Sequence, residues 1–267
     1  MDVRDPALGS VIRQERVDTI IHLAFVLFPI RDLNTFYDID VNGSRNVLAA
    51  CENSSIRKII LSSSTSVYGV HPDNPLPMTE DQPFRPNPDN HYGVHKTEVE
   101  GLLREFAETH HDVTVTVFRP CMFLGPNVDN LICQLAVKLP TLIKIKNHNP
   151  LLQFVHEEDV VGAIALALQR DMPGAFNLVG KGTVTMEEFC AAFGKGRIEL
   201  NYRLLYTGHN LLWKLRFPLI TFNPGWLNYL HYSSIASGEK LEAAHGFAPS
   251  FTTERALRSY VEERTKQ

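Results

Sequence analysis

Short apolar runs alternate with helical patterns along the first two thirds of the chain. Apolar, partly β-branched runs predict buried strands at residues 19–24, 58–62 and 113–118. Helical patterns lie between them, at about 34–51 and 90–110. The order strand, helix, strand, helix, strand is typical of a parallel sheet with crossover helices.

The last third of the chain has a more mixed pattern. It predicts short strands at 152–155 and 175–179, and helices at 159–168, 186–193, 211–215 and 252–263. We expect this part to form a smaller lobe over the C-terminal edge of the sheet, where open α/β sheets bind ligands.

Composition and charge exclude several classes of function. With 44% hydrophobic and 21% charged residues the chain is an ordinary globular protein. A net charge of −4 without any block of like charges gives no reason to expect nucleic acid as a partner. The four cysteines form no C-x-x-C pair and no cluster with histidine, so we expect reduced thiols and no metal. The N-terminus is charged and no apolar run approaches the roughly 20 residues of a transmembrane helix, which favours a cytoplasmic protein.

The most specific local feature is the segment Tyr92-Gly93-Val94-His95-Lys96. Tyr92 and Lys96 are four residues apart on a predicted helix, so their side chains share one face. An ammonium group beside a phenol favours the phenolate and would lower the pKa of Tyr92 from its usual value near 10. By itself such a pair also fits an ordinary surface helix.

Two loops that follow predicted strands add candidate groups. Residues 61–69 carry a cluster of hydroxyls, of which Ser64 or Ser66 could hold a substrate oxygen; a hydrophilic turn is the alternative. Residues 118–126 read F-R-P-C-M-F-L-G-P, in which Pro120 could form the wall of a pocket for a flat ring. An ordinary exit from a strand explains that segment equally well.

The order of these features resembles the extended short-chain dehydrogenase/reductase family, which includes NAD-dependent epimerases and dehydratases. Further segments match its motifs along nearly the whole chain: D-T-I-I-H-L-A at 18–24, V-N-G-S-R-N-V-L at 41–48, F-V-H-E-E-D-V at 154–160, F-N-L-V-G at 176–180 and G-F-A-P at 246–249. The resemblance implies an α/β fold with a Rossmann-type doubly wound parallel sheet. Residues 1–150 would form the dinucleotide-binding domain, and 151–267 mainly a substrate lobe with some segments returning to the first domain.

The resemblance also assigns roles to residues. Tyr92 would be the acid/base, Lys96 its partner and a ribose ligand, and Ser64 the substrate-orienting hydroxyl. The implied cofactor is NAD or NADP, a choice the sequence leaves open. Its contacts would be Asp2, Val3, Leu23, Ala24, Ser62, Tyr92, Lys96, Pro120 and Met122.

The sequence departs from the family in two places. The G-x-x-G-x-x-G turn that holds the pyrophosphate is absent, since Gly9 is followed next by Gly43. We therefore expect an incomplete sheet from a truncated gene model, lacking on the order of 60 residues, with the strand at 19–24 as a bare edge and weak cofactor binding. Asp40 stands where many relatives carry Asn, and its charge would compete for Lys96.

Several functions remain open. The substrate would be a nucleotide sugar or, given Trp213, Phe217, Trp226 and Tyr229, an apolar alcohol or ketone. Thr65-Ser66 replaces the Asp-Glu of dehydratases, which argues against dehydration. The alternative class is a non-catalytic nucleotide-sensing or partner-binding relative, and a homodimer is possible. We interpret Cys121, His156 and Asp159 as structural, with Asp159 as a helix cap, and the basic apolar stretch 211–217 as a lid, with a membrane contact as the alternative.

Overall fold

The computed structural model describes residues 1–27, 30–129 and 131–265, without the side chains of 131–133 and 265. The strands are β1 (Thr19–His22), β2 (Lys58–Ser62), β3 (Thr114–Pro120), β4 (Met122–Leu124), β5 (Thr141–Ile145), β6 (Leu151–Leu152), β7 (Phe154–His156), β8 (Gly174–Leu178), β9 (Val184–Thr185) and β10 (Gly196–Leu200). The α-helices are α1 (Leu8–Gln14), α2 (Leu33–Tyr37), α3 (Gly43–Cys51), α4 (His91–Thr109), α5 (Leu131–Lys138), α6 (Glu157–Gln169), α7 (Met186–Ala192), α8 (Tyr202–Lys214), α9 (Glu239–His245) and α10 (Thr253–Thr265).

The main sheet contains four parallel strands in the order β1-β2-β3-β8. This arrangement confirms the predicted α/β class. In the described part of the chain β1 pairs only with β2, so it lies at the edge as predicted. Strand β8 comes after residue 150 and still joins this sheet, whereas the division into two domains remains a prediction.

Three two-stranded sheets complete the fold: β4 with β7 and β5 with β10, both parallel, and β6 with β9, antiparallel. The single strand predicted at 152–155 is therefore two strands that pair with different partners. Strand β10 was not predicted because its G-R-I-E-L sequence is mostly exposed and gives no apolar run. Helix α8 is longer than the predicted 211–215 and begins at a cap, where the Asn201 side chain accepts from Leu204 N.

Helix α4 packs on the main sheet through the side that continues the Tyr92 and Lys96 spacing along the helix. Val99, Leu103 and Phe106 are buried in one cluster with sheet residues such as Ile59 and Val117. This packing fixes the N-terminal turn of α4, and with it Tyr92 and Lys96, near the carboxyl ends of β2 and β3.

The helix predicted at 34–51 is interrupted by a π-helical turn at Asp38–Asn42. A π turn inserts an extra residue into a helix and is frequently found at functional sites. Here the turn contains Asp40, which is fully buried.

Candidate active site

The first turn of α4 and the loop after β2 are in direct contact. Asn90 caps the helix by accepting from Gly93 N. A Cβ on Gly93 would lie 2.9 Å from the Ser66 carbonyl oxygen, so only glycine allows this approach. The contact brings together the predicted catalytic group of Tyr92, Lys96 and Ser64.

The Ser64 hydroxyl lies close enough to the Tyr92 phenol to act on its pKa. Burial raises the pKa of the phenol well above its usual value; the interaction with Ser64 lowers it, and the charge of Asp40 raises it further. The net direction is opposite to the lowering expected from Lys96. The physical reason is that desolvation outweighs the stabilising contacts, so Tyr92 holds its proton at neutral pH.

Lys96 is buried and its ammonium group is directed to the end of β2. Nζ donates to the Ser62 carbonyl oxygen at 2.5 Å and lies 3.3 Å from the centre of the Phe25 ring. Burial lowers the pKa of Lys96 to about 7, against the opposing charges of Asp40 and Glu100. The amine can therefore gain or lose a proton near neutrality.

The carboxylate of Asp40 is bound by groups other than Lys96. Its Oδ2 accepts from His95 Nδ1 at 2.9 Å and its Oδ1 from the Val26 backbone N–H at 2.9 Å. The expected direct competition for Lys96 is therefore not seen, and Asp40 acts on the amine only through its charge. His95 was not identified as a site residue, although its position directly before Lys96 was visible.

Ser66, the alternative hydroxyl, has a different environment. Its Oγ is buried without a hydrogen-bond partner in the described structure. The Ser66 backbone N–H donates to Ser64 Oγ at 3.1 Å, which orients the Ser64 hydroxyl. The geometry thus favours Ser64 over Ser66 as the partner of the phenol.

Aromatic rings surround the Tyr92 phenol. Phe25 contacts it edge-on with centroids 6.5 Å apart, and Trp226 lies 6.1 Å away and packs in turn on Tyr229. Trp226 belongs to the 3₁₀ segment Pro224–Leu230. This segment lies directly against the residue Asp89, just before α4: a Cβ added at Gly225 would be only 2.6 Å from it. Phe25 was missed, since a single Phe after a strand carries no distinctive pattern.

The predicted cofactor contacts are spread over a wider surface. Leu23 and Ala24 follow β1 directly and are exposed, Pro120 is buried at the end of β3, and Met122 is half-buried. Asp2 and Val3 lie beside α3: the Val3 carbonyl accepts from Asn46 Nδ2 at 2.7 Å. The Asp2 carboxylate is paired with Arg4, which holds its pKa far below the usual value.

Buried polar groups beneath the site form a network. Arg119 makes paired hydrogen bonds to Glu100 at 2.7–3.1 Å and one to the Tyr68 hydroxyl at 2.8 Å. Ser63 donates to Glu100 at 2.5 Å. This network holds the ends of β2 and β3 on α4, and it leaves Glu100 fully engaged.

The residues interpreted as structural are all buried. Burial raises the pKa of the Cys121 thiol to about 12, so this thiol is unreactive at neutral pH. The capping role expected for Asp159 is wrong. His156 caps α6, and Asp159 instead accepts from Ser250 N and Phe251 N because the chain before α10 folds back onto it.

The described residues contain no group of three or more His, Cys, Asp or Glu side chains that could hold a metal ion. None of their helices is long and apolar enough to cross a bilayer.

Comparisons with known proteins identify proteins that are similar to this chain. An uncharacterized protein of Mycobacterium tuberculosis (strain ATCC 25618 / H37Rv) is 25% identical over 266 residues, which are 98% of this chain and 70% of that protein. A UDP-N-acetylglucosamine 4-epimerase from Methanobrevibacter ruminantium M1, solved with UDP-N-acetylmuramic acid, matches 100% of this chain and 82% of its own at a TM-score of 0.77 and 19% identity. MoeE5, solved with UDP-glucuronic acid and NAD, matches 100% of this chain and 84% of its own at a TM-score of 0.77 and 19% identity.

At that identity the two solved structures show a shared fold. The model of the NAD dependent epimerase/dehydratase family matches residues 1–179. The chain therefore belongs to the NAD dependent epimerase/dehydratase family.

Proposed function

We propose that the chain is a nicotinamide-dependent oxidoreductase or epimerase in which Tyr92 is the acid/base. The observation that carries this proposal is the placement of the buried Lys96, whose Nζ donates to the Ser62 carbonyl, one helical turn from Tyr92 and beside the loop that holds Ser64. A hydroxyl or carbonyl oxygen of a substrate could take the place between Ser64 and Tyr92 and exchange a proton with the phenol.

The residues near Tyr92 fit the nicotinamide–ribose half of a dinucleotide. Lys96 would hold the ribose, and Leu23, Ala24, Ser62, Pro120 and Met122 would contact the cofactor. When bound, the nicotinamide accepts or returns a hydride. The choice between NAD and NADP stays open.

The protonation state of the Tyr92 phenol determines which direction of proton transfer its neighbours must assist. Burial raises the pKa of Tyr92, so at neutral pH the phenol holds a proton that it can donate to a carbonyl oxygen. To remove a proton from an alcohol, its pKa must fall, and the interaction with Ser64 already acts in that direction. An ammonium group on Lys96, whose pKa is about 7, would add to the effect when it is directed at the phenol.

Epimerisation or simple oxidation fits the site better than dehydration. An elimination needs a carboxylate free to act beside the hydroxyl. Thr65 and Ser66 follow Ser64, and the two buried carboxylates nearest the site, Asp40 and Glu100, are bound by His95 and Arg119.

A nucleotide sugar is the proposed substrate. UDP-sugars are the ligands of the two solved relatives, and the ring faces of Phe25 and Trp226 can pack on a pyranose. The same rings favour an apolar alcohol or ketone as the second candidate.

The test is turnover by the purified chain with NAD⁺ or NADP⁺ and a panel of UDP-sugars, followed by NMR of the sugar ring protons. We expect an epimer to form, and Tyr92→Phe to lower the rate roughly 10²- to 10⁴-fold, the usual contribution of a general acid/base. Thr97→Ser on the same helix is the control and should leave the rate unchanged. Equal turnover by Tyr92→Phe would refute the assignment, and nucleotide binding without any turnover would support a non-catalytic relative.

A further inference from the structure

Helix α8 and the six residues after it leave an apolar strip uncovered. We call this strip the α8 surface. It consists of Leu204 (76% exposed), Leu211 (57%), Leu215 (69%), Phe217 (44%) and Leu219 (82%). The single exposed leucines found elsewhere on a protein need no explanation, but five large apolar residues along one segment do.

The strip follows from the spacing of the sequence. Leu204, Leu211 and Leu215 are separated by seven and four residues, which places them on one side of the helix. The opposite side packs on the protein: His209 is buried, and its ring bonds to the Phe222 carbonyl at 2.8 Å. The leucines are therefore exposed because the buried side is already occupied, and they do not cover the site as the predicted lid would.

The strip is rigidly held near the candidate site. Arg31 donates to the Phe217 and Ile220 carbonyls at 2.6 and 2.5 Å, and its guanidinium lies 4.8 Å from the centre of the Trp213 ring. On the inner side, the Tyr206 hydroxyl donates to Asp89, just before α4. The α8 segment is thus anchored to Arg31 and to Asp89, two residues before the start of α4.

The charges along this segment all have one sign. No Asp or Glu occurs from residue 200 to residue 238, although the whole chain has a net charge of −4. Arg203, Lys214 and Arg216 lie in this interval, and all three are exposed. Arg203 and Lys214 adjoin the leucine row on α8, and Arg216 lies between Leu215 and Phe217.

We propose that the α8 surface docks on a lipid bilayer that carries anionic head groups. Leucine side chains would enter the interface while the three cations contact lipid phosphates, which is how amphipathic basic helices bind membranes. An acidic protein partner would match the cations but would not need so many exposed leucines. This inference does not depend on the proposed reaction.

The experiment is co-sedimentation of the full chain with vesicles. We expect binding to vesicles of phosphatidylcholine and phosphatidylglycerol to be at least about tenfold tighter than to phosphatidylcholine alone, and to weaken in about 0.5 M NaCl. Leu211→Ser/Leu215→Ser and, separately, Lys214→Glu/Arg216→Glu should each weaken binding about tenfold or more.

Matched controls come from other helices. Val161→Ser/Leu168→Ser removes two exposed apolar side chains from α6, and Arg255→Glu/Arg258→Glu reverses two exposed charges on α10. Both should bind vesicles like the unaltered chain, and circular dichroism verifies that every variant is folded. The proposal is overturned by absence of vesicle binding, by unchanged binding of the α8 variants, or by a change in solution mass on the α8 substitutions, which would make the strip an interface between protein copies.

Discussion

Asp40 and His95 form a buried pair that joins the π-helical turn to helix α4. The Oδ2–Nδ1 distance is 2.9 Å, and the other carboxylate oxygen holds the backbone of Val26 in the segment after β1. His95 lies between Tyr92 and Lys96 on the same helical turns, so this pair fixes the position of both. Asp40 therefore has a buried hydrogen-bond partner, His95, which the sequence alone did not link to it.

Removal of one member of this pair should destabilise the fold. We expect His95→Ala and Asp40→Ala each to lower the free energy of unfolding by about 3 kcal/mol, because each leaves a buried polar partner unsatisfied. The double variant should cost less than the sum of the two. Urea unfolding of the four proteins gives the coupling energy, and a value near zero would contradict a direct interaction.

Lys96 should make the stability of the chain depend on pH. Its folded pKa of about 7 lies below the ordinary value of 10.5, so between these values the unfolded chain binds more protons than the folded chain. Stability contributed by this site therefore rises from about pH 7 towards pH 10. Lys96→Met has no amine to titrate at this site. We therefore expect the free energy of unfolding of the unaltered chain to rise relative to that of Lys96→Met by a few kcal/mol over this range, on the order of 1.4 kcal/mol per pKa unit.

Urea unfolding at pH 7, 8 and 9 measures that difference, and Lys138→Met on α5 is the control with an exposed amine. A constant difference between Lys96→Met and the unaltered chain would show that Lys96 keeps an ordinary pKa.

His22 should make the fold sensitive to acid. Burial lowers the pKa of His22 to about 4, with a further contribution from Lys96. The folded pKa lies below the unfolded value of 6.5, so stability is lost as the pH falls from about 6.5 to 4. We expect His22→Gln to flatten this decline, relative to an exposed control such as His111→Gln, in thermal unfolding between pH 7 and pH 4. Equal slopes for the two variants would refute the assignment.

Ser64 should set the pH dependence of turnover. Its interaction with the phenol lowers the pKa of Tyr92, so in the oxidation of an alcohol, where the phenolate is the base, Ser64→Ala should move the acidic limb of the kcat/KM profile to higher pH. The loss of an interaction of about 1.4 kcal/mol, the size of one hydrogen bond, corresponds to roughly a tenfold lower rate at neutral pH. Ser66→Ala, which removes a hydroxyl without a partner, should leave the profile in place. A shift in Ser66→Ala alone would exchange the roles of the two serines.

The affinity for NAD⁺ or NADP⁺ tests the effect of having no G-x-x-G-x-x-G turn among these residues. The 267 residues contain no G-x-x-G-x-x-G segment, so backbone amides of that turn cannot reach a pyrophosphate. We expect isothermal titration of this chain with NAD⁺ and NADP⁺ to give weak binding, so the turnover assay is run at a cofactor concentration high enough to offset it. Tight binding of either would require another phosphate site on these residues.

The sequence by itself determined the parts that depend on local pattern and spacing. Apolar runs located β2, β3 and β8, and the four-residue spacing placed Tyr92 and Lys96 on one face of α4. These features need only the periodicity of strands and helices, and the order of motifs then indicated the family.

Only the tertiary structure decided what surrounds each group. Burial raises the pKa of Tyr92 and lowers that of Lys96. Asp40 pairs with His95, and Phe25 and Trp226 approach the phenol. Each of these relationships brings together segments that are far apart in the chain. Desolvation and hydrogen bonding depend on distances across the fold, which no local pattern encodes.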